Sequence, residues 1–170
     1  MKIALFLGSF NPFHNGHLYA IKTAIEDFGM DKVIVVPTMN DSKEIDFTTK
    51  WYIISRSIFT YSSSNNFKVG ISLIEKELIP PYYEYATLHA LKNKYCNDDV
   101  YVLVGEDTLE DIPNWMHGGK IIEDYNFIIV DRPKFSISST DIRNRVKEGK
   151  SIKGLVFDED IINILKQHYK

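Results

Sequence analysis

The feature that most constrains the fold of this chain is an alternation of short apolar runs with segments of helical apolar spacing. The runs are rich in β-branched or aromatic residues and cover residues 3–7, 33–36, 67–71, 100–104 and 127–130. A continuous apolar run of this length is typical of a strand buried on both faces. Strands that alternate with helices predict an α/β fold with a mostly parallel sheet, right-handed crossovers and helices on both faces.

The segments between these runs indicate where the helices lie. Apolar residues spaced by three and four predict helices around residues 18–28 and 85–95, and a third helix is expected over 51–59. The serine and asparagine run 62–66 is interpreted as a solvated turn before a strand.

The end of the chain carries two further helix signals. Ser138 opens an N-cap pattern, and a last amphipathic helix is expected after Asp158. With 170 residues, of which 44% are hydrophobic, the chain can bury one core. We therefore expect a single doubly wound, Rossmann-like domain over residues 1–170, with a short helical segment over 138–170.

Composition excludes several classes of protein. The 20 basic and 23 acidic residues give a net charge of −3, which argues against binding along a nucleic acid but leaves room for a small charged ligand. The single cysteine, Cys96, rules out a disulfide framework. No run approaches 18 apolar residues, and the N-terminus lacks a signal-peptide pattern. We expect a soluble, cytoplasmic protein without membrane contact; a homo-oligomer is compatible with the sequence.

Ligands of open parallel sheets bind at the carboxyl ends of the strands, so the loops after the strands are the candidates for a site. The first of these loops reads G-S-F-N-P-F-H-N-G-H. Gly8 would let a ligand approach the backbone, and Gly16 can begin a helix whose free N–H groups favour an anion. His14 and His17 are three residues apart, so both can donate an N–H to the same phosphate. The loop therefore predicts a phosphate site.

Two alternatives to this interpretation remain. The two histidines could bind zinc, but they lack the nearby third ligand of an H-E-x-x-H motif, and we expect no metal held by side chains. Residues 132–153 hold seven basic and two acidic residues, which suits either a polyanionic ligand or a solvated basic helix face.

Two motifs carry a resemblance to a known superfamily. The first loop resembles the GxFxPxHxGH signature of the nucleotidyltransferases, and I-S-S-T-D-I-R, residues 137–143, resembles their second motif, ISSTxIR. The resemblance implies that His14, His17 and Arg143 are catalytic and hold the phosphates of ATP. It further implies Mg²⁺ bound through those phosphates and an ATP site that includes Gly8, Ser9, Phe10, Gly16, Ser138, Ser139 and Thr140.

The middle of the chain is similar to the nicotinate mononucleotide adenylyltransferases. The matching segments are Y-E-Y-A-T-L-H-A-L-K, V-Y-V-L-V-G-E-D-T-L-E-D-I-P-N-W-M and I-I-V-D-R-P. By this resemblance Asp107 binds the ribose hydroxyls, Trp115 stacks on the pyridine ring and Thr87 helps to read the ring substituent. The implied acceptor site comprises Lys43, Thr87, Gly105, Asp107, Trp115 and Arg132. Trp115 could instead fill the core, and Asp107 could cap a short helical turn.

The chain also departs from that family's pattern. The segment T-M-N-D-S-K-E replaces a Pro-Pro-His-Lys pattern, which leaves Lys43 as the phosphate contact, and Lys50 stands where arginine is common. Asn11 replaces a usual aspartate, and Ala86 replaces another. The segment between Arg132 and the second motif is short, as in phosphopantetheine adenylyltransferases.

The resemblance predicts an enzyme that transfers AMP from ATP to nicotinate mononucleotide, yielding nicotinate adenine dinucleotide and pyrophosphate in NAD biosynthesis. The alternatives are transfer to nicotinamide mononucleotide or phosphopantetheine, or a non-catalytic nucleotide sensor on the same fold.

Overall fold

The computed structural model describes residues 1–40, 44–131 and 137–170. Five strands form one sheet in the order β3-β2-β1-β4-β5, and every neighbouring pair is parallel. The strands are β1 (Lys2–Gly8), β2 (Lys32–Pro37), β3 (Val69–Ile71), β4 (Asp99–Gly105) and β5 (Asn126–Val130). The prediction of a doubly wound α/β fold is confirmed, and the sheet is entirely parallel.

Seven α-helices lie between and after these strands in the described part of the chain. They are α1 (Asn15–Glu26), α2 (Phe47–Asn65), α3 (Glu84–Lys94), α4 (Glu106–Asp111), α5 (Gly118–Asp124), α6 (Ser139–Lys147) and α7 (Glu159–His168). Two 3₁₀ turns, Ile74–Glu77 and Ile112–Asn114, complete the connections. None of these helices is both long and apolar enough to cross a membrane.

Alternate residues of each strand enter two different cores, because successive side chains of a strand point to opposite faces. In β1, Ala4 and Phe6 pack on one face with buried residues of α1, α2, α6 and α7. Ile3 and Leu5 pack on the other face with α3, α5 and the two 3₁₀ turns. The two faces therefore bring different helices to the same end of the sheet.

The C-terminal segment belongs to the first of these cores. Ile161 and Leu165 of α7 are fully buried, and Tyr169 is almost fully buried beside them. Helix α7 begins after Asp158 as predicted, and the Asp158 carboxylate caps it by accepting the N–H of Ile161. Residues 138–170 thus contribute to the hydrophobic core on that face of the sheet.

Two predicted boundaries were wrong. Residues 62–65 continue α2, and only Asn66, with φ of 56°, leaves the helix. The hydroxyls of Ser62 and Ser64 bond to backbone carbonyls of the preceding turn, which lets serine remain helical. The run 67–71 forms a strand only over Val69–Ile71, because β3 lies at the sheet edge and pairs with β2 alone.

Candidate active site

A cavity of about 800 Å³ lies at the carboxyl ends of the strands. Its wall includes Leu7, Val36, Gly105 and Val130, which come from the ends of four different strands. Twelve of the predicted site residues line it: Gly8, Ser9, Phe10, His14, Gly16, His17, Gly105, Asp107, Trp115, Ser138, Ser139 and Arg143. The two motifs, 120 positions apart in the chain, therefore meet at one cavity.

Four predicted residues are placed differently. Thr87 is fully buried and is absent from the cavity wall, and its hydroxyl donates to Glu75. Thr140 is exposed, and its hydroxyl accepts an N–H from the Arg143 guanidinium at 3.1 Å. Lys43 and Arg132 lie outside the described residues.

An aromatic cluster fixes the first loop. Phe10 is 3% exposed, and its ring makes edge contacts with the rings of Phe6, Phe13 and His17 at centroid distances of 5.0–5.4 Å. The backbone of Phe10 has φ of 47°, a conformation that residues other than glycine rarely adopt. Such strain persists only where the surroundings impose it, and it is frequent at functional sites. The apolar packing therefore holds a strained loop in one shape.

The two histidines cap helix α1 and hold each other. The Nδ1 atom of His14 accepts the N–H of Gly16 at 3.1 Å, and the Nδ1 atom of His17 accepts the N–H of His14 at 3.0 Å. An Nδ1 that accepts a hydrogen bond carries no proton, so each neutral ring carries its proton on Nε2. Both histidines are thus set as Nε2–H donors.

The same packing keeps both rings uncharged. They stack with centroids 3.7 Å apart, and the opposite face of His17 lies against Phe13. Burial lowers the pKa of His14 to about 4. Burial, and then the neighbouring His14, hold the pKa of His17 well below its usual value. At neutral pH the pair therefore offers neutral donors.

The two glycines of the loop are required by these rings. A Cβ on Gly16 would lie 2.8 Å from the His14 ring, and a Cβ on Gly8 would lie 2.9 Å from the Phe10 ring. Real Cβ atoms essentially never approach that closely. At both positions a side chain of the loop itself packs directly against the glycine backbone and leaves no room for a Cβ.

Helix α6 docks directly on the first loop. Ser138 caps the helix by accepting the N–H of Asp141, as predicted, and the hydroxyl of Ser139 donates to the carbonyl of Pro12 at 2.9 Å. The Arg143 guanidinium donates to the carbonyl of Asn11 at 2.7 Å. The Asn11 side chain accepts the hydroxyl of Tyr169, so the turn at this position is held from both sides.

Most of the described basic residues after 132 do not reach the cavity. Lys147 pairs with Glu44 at 2.5 Å, Arg145 with Asp141, and Lys150 with Glu148. Arg143 alone among them lines the cavity, and its Nε lies 3.6 Å from Glu44. The solvated-face interpretation thus describes most of this segment, and the polyanion interpretation is restricted to Arg143.

The segment after β4 forms the opposite wall. Gly105, not Asp107, is the N-cap residue of α4, so the capping role considered for Asp107 was wrong; Asp107 stands in the first turn, where an acidic side chain suits the helix dipole. Trp115 is half-buried: it packs against the second core and also lines the cavity. A Cβ on Gly118 would lie 1.8 Å from the carbonyl oxygen of Ile112, so only glycine permits this turn.

The wall holds five charged residues that sequence reasoning did not assign to the site: Lys50, Glu75, Glu84, Glu106 and Asp131. Glu75 and Lys50 are 5% and 2% exposed, and Glu84 begins helix α3. The sequence singles out Lys50 only because a lysine stands where arginine is common in the family. Neither Glu75 nor Glu84 belongs to a motif with a spacing signal, so only the fold could bring them to the cavity. Together with Glu106 and Asp107 they make the wall on the α3 and α4 side acidic.

The cavity lies at the carboxyl ends of parallel strands, and comparison with known proteins gives the class of the chain. Residues 5–145 match the family model described as cytidylyltransferase-like. The match spans both motifs and all of the sheet except the first residues of β1. The chain is a nucleotidyltransferase.

Individual relatives give a narrower assignment. The chain is 32% identical to a probable nicotinate-nucleotide adenylyltransferase of Cytophaga hutchinsonii, with 99% of this chain and 98% of the relative covered. A crystal structure of a putative nicotinate-nucleotide adenylyltransferase from Vibrio parahaemolyticus matches with a TM-score of 0.77 at 25% identity, covering 98% of this chain and 92% of the other. The fold also matches, with a TM-score of 0.73 at 20% identity over 98% of this chain and 95% of the other, Plasmodium falciparum nicotinic acid mononucleotide adenylyltransferase complexed with NaAD. The chain belongs to the cytidylyltransferase-like family and, within it, to the nicotinate-nucleotide adenylyltransferases.

Proposed function

We propose that the chain transfers the AMP group of ATP to nicotinate mononucleotide, releasing pyrophosphate and forming nicotinate adenine dinucleotide for NAD biosynthesis. One observation carries the proposal: the paired imidazoles, Arg143 and the Trp115 segment line a single cavity at the carboxyl edge of the sheet. Two nucleotides that react with each other must share one site.

The half of the cavity formed by the two motifs is assigned to ATP. His14 and His17 donate from Nε2, and Arg143 supplies the positive charge. Seven residues of the two motifs complete this half and support the triphosphate or the adjoining nucleoside: Gly8, Ser9, Phe10, Gly16, Ser138, Ser139 and Thr140. Of these, Thr140 acts through its hydrogen bond to Arg143.

The acidic half of the cavity is assigned to the mononucleotide. The ring nitrogen of a pyridine mononucleotide carries a positive charge, which suits a wall with Glu84, Asp107 and the indole of Trp115. Phosphopantetheine has no such charge, so this wall favours a pyridine nucleotide. Gly105 belongs to the same wall. Lys43 remains a proposed phosphate contact and Arg132 a proposed acceptor contact, and both lie outside the described residues.

The reaction needs no general base, because the attacking phosphate oxygen is already an anion. That oxygen forms a bond to the α-phosphorus of ATP, and the bond to the β-phosphate oxygen breaks, so that pyrophosphate leaves with the electron pair. His14, His17 and Arg143 stabilise the charge that develops on the phosphates. Their fixed positions supply the alignment, which can contribute roughly 7–11 kcal/mol.

The site fits Mg²⁺ that is bound through the phosphate oxygens of ATP. Among the described residues no group of three His, Cys, Asp or Glu side chains could hold a metal, so the donor set suits an ion carried by ATP oxygens and water. Bound in that way, Mg²⁺ would neutralise phosphate charge.

The cytoplasm, where ATP is available, is proposed as the location of the protein.

The test is pyrophosphate release from ATP in the presence of nicotinate mononucleotide, nicotinamide mononucleotide or phosphopantetheine, each offered alone. We expect release with nicotinate mononucleotide and none with ATP alone. Release only with phosphopantetheine would contradict the acceptor, and ATP binding without release with any acceptor would favour the sensor.

A further inference from the structure

Glu75 is a buried carboxylate in the cavity wall that connects three separate elements. It lies in the 3₁₀ turn Ile74–Glu77. Its Oε2 accepts the backbone N–H of Met39 at 2.6 Å and the hydroxyl of Thr38 at 3.2 Å, both just after β2. Its Oε1 accepts the hydroxyl of Thr87, on the first turns of α3, at 2.9 Å. One side chain therefore joins the end of β2 to α3.

These contacts account for the burial of the charge. A carboxylate removed from water is strongly unfavourable unless it accepts hydrogen bonds, and Glu75 accepts three. Because Thr87 is fully buried and bonded to Glu75, its side chain is directed at the carboxylate and not at the cavity. The position of α3 relative to β2 thus depends on the two oxygens of Glu75.

Lys50 holds the same strand end from helix α2. Its side chain is 2% exposed, and its Nζ donates to the carbonyl oxygen of Thr38 at 3.1 Å. Thr38 is thereby fixed through its hydroxyl by Glu75 and through its carbonyl by Lys50. Both charged residues line the cavity, so the end of β2 is held by groups inside the site.

We propose that Glu75 is a positioning residue for the acceptor nucleotide, acting through Thr38, Met39 and Thr87. The proposal rests on the assignment of the acidic half of the cavity to the mononucleotide. Within the described parts of the chain, the hydrogen bonds of Glu75 go to Thr38, Met39 and Thr87 and not to His14, His17 or Arg143, so its effect belongs to the acceptor and not to ATP.

The test is Glu75→Gln, which keeps the shape of the side chain but replaces one acceptor oxygen by an NH₂ group. We expect the KM for nicotinate mononucleotide to rise on the order of tenfold while the KM for ATP changes less than about twofold, because the strand end and α3 lose their fixed positions only on the acceptor side of the cavity. Thr87→Val should shift the same KM in the same direction, and Thr87→Ser, which retains the hydroxyl, should restore it.

Ser57→Ala is the matched control, since Ser57 is also buried and its hydroxyl donates within α2, to the carbonyl of Ile53. It should lower the melting temperature slightly and leave both KM values unchanged. If Glu75→Gln fails to fold, the Thr87 pair carries the test. Equal changes in both KM values, or lost stability with unchanged KM values, would overturn the proposal.

Direct titration of nicotinate mononucleotide, followed by Trp115 fluorescence or calorimetry, separates this proposal from the proposed function. Weaker binding in Glu75→Gln than in the wild type supports the positioning role even if no turnover occurs. Equal binding in both proteins contradicts that role even if the wild type is fully active.

Discussion

The two halves of the cavity are built in different ways. In the motif half, the groups that orient the two imidazoles are close in sequence: His14 and His17 cap one helix and each other, and Phe10 packs on the second ring. Helix α6 and Tyr169 add hydrogen bonds to the same loop from the end of the chain. In the acidic half, Glu75, Thr38 and Thr87 come from three elements and meet only in the folded chain. A local motif therefore specifies chemistry, whereas the acceptor wall depends on tertiary packing.

The largest expected effect is in the motif half. His17→Ala removes an Nε2–H donor, and we expect turnover to fall on the order of 10²–10³-fold, as for the loss of one donor to a developing charge. The KM for nicotinate mononucleotide should change little. The measurement is steady-state pyrophosphate release, with His89→Ala, an exposed histidine of α3, as the control. Full activity in a folded His17→Ala variant would remove the proposed role.

The next effect is in the acidic half. Trp115→Ala removes the proposed stacking surface, and we expect the KM for the mononucleotide to rise on the order of tenfold or more, since stacking of a base on an aromatic ring contributes about 1–3 kcal/mol. Trp115→Phe should retain part of the effect, and the KM for ATP should stay unchanged. An altered KM for ATP alone would mean that the two halves have been assigned the wrong way round.

A third comparison tests the backbone that carries Trp115. Gly118→Ala places a Cβ against the carbonyl of Ile112, whereas nothing lies within 4 Å of a Cβ on Gly119. We expect Gly118→Ala to reduce the free energy of unfolding by about 1–3 kcal/mol or more and to weaken mononucleotide binding. Gly119→Ala is the control, and denaturant melts measure both. Equal stability of the two variants would contradict the tight turn.

The smallest expected effect is the pH dependence of stability from His14. Because burial lowers its folded pKa to about 4, the unfolded chain, with an imidazole pKa near 6.5, binds more protons between those values. Stability should therefore fall as pH drops from about 6.5 toward about 4. His14→Asn keeps an acceptor for the N–H of Gly16 without a titrating ring, so its melting temperature should fall less between pH 7 and 5. Identical slopes for both proteins would mean that His14 is not buried neutral.

The same difference between the halves explains what sequence could and could not predict. The parallel sheet, the cap at Ser138 and the helix after Asp158 follow from local patterns of apolarity and hydrogen-bonding side chains, and the structure confirms them. The end of α2 was predicted too early because serine is read as a turn residue, although its hydroxyl can bond within a helix.

Within the site, the spacing of His14 and His17 predicts that both face one phosphate, and the resemblance of the second motif to that of the nucleotidyltransferases adds Arg143 to them. Glu75 and Glu84 have no such spacing or motif signal, since a single glutamate in a short segment is ordinarily solvated. Thr87 was expected near the ligand, yet its hydroxyl turns to Glu75, which only the packing of α3 on the sheet determines.

The most direct test of the account is a crystal structure with a non-hydrolysable ATP analogue and nicotinate mononucleotide bound together. The account predicts one triphosphate within about 3 Å of the Nε2 atoms of His14 and His17 and of the Arg143 guanidinium, with the pyridine ring against Trp115. A triphosphate that contacts the histidines but not Arg143, or a pyridine ring remote from Trp115, would contradict it.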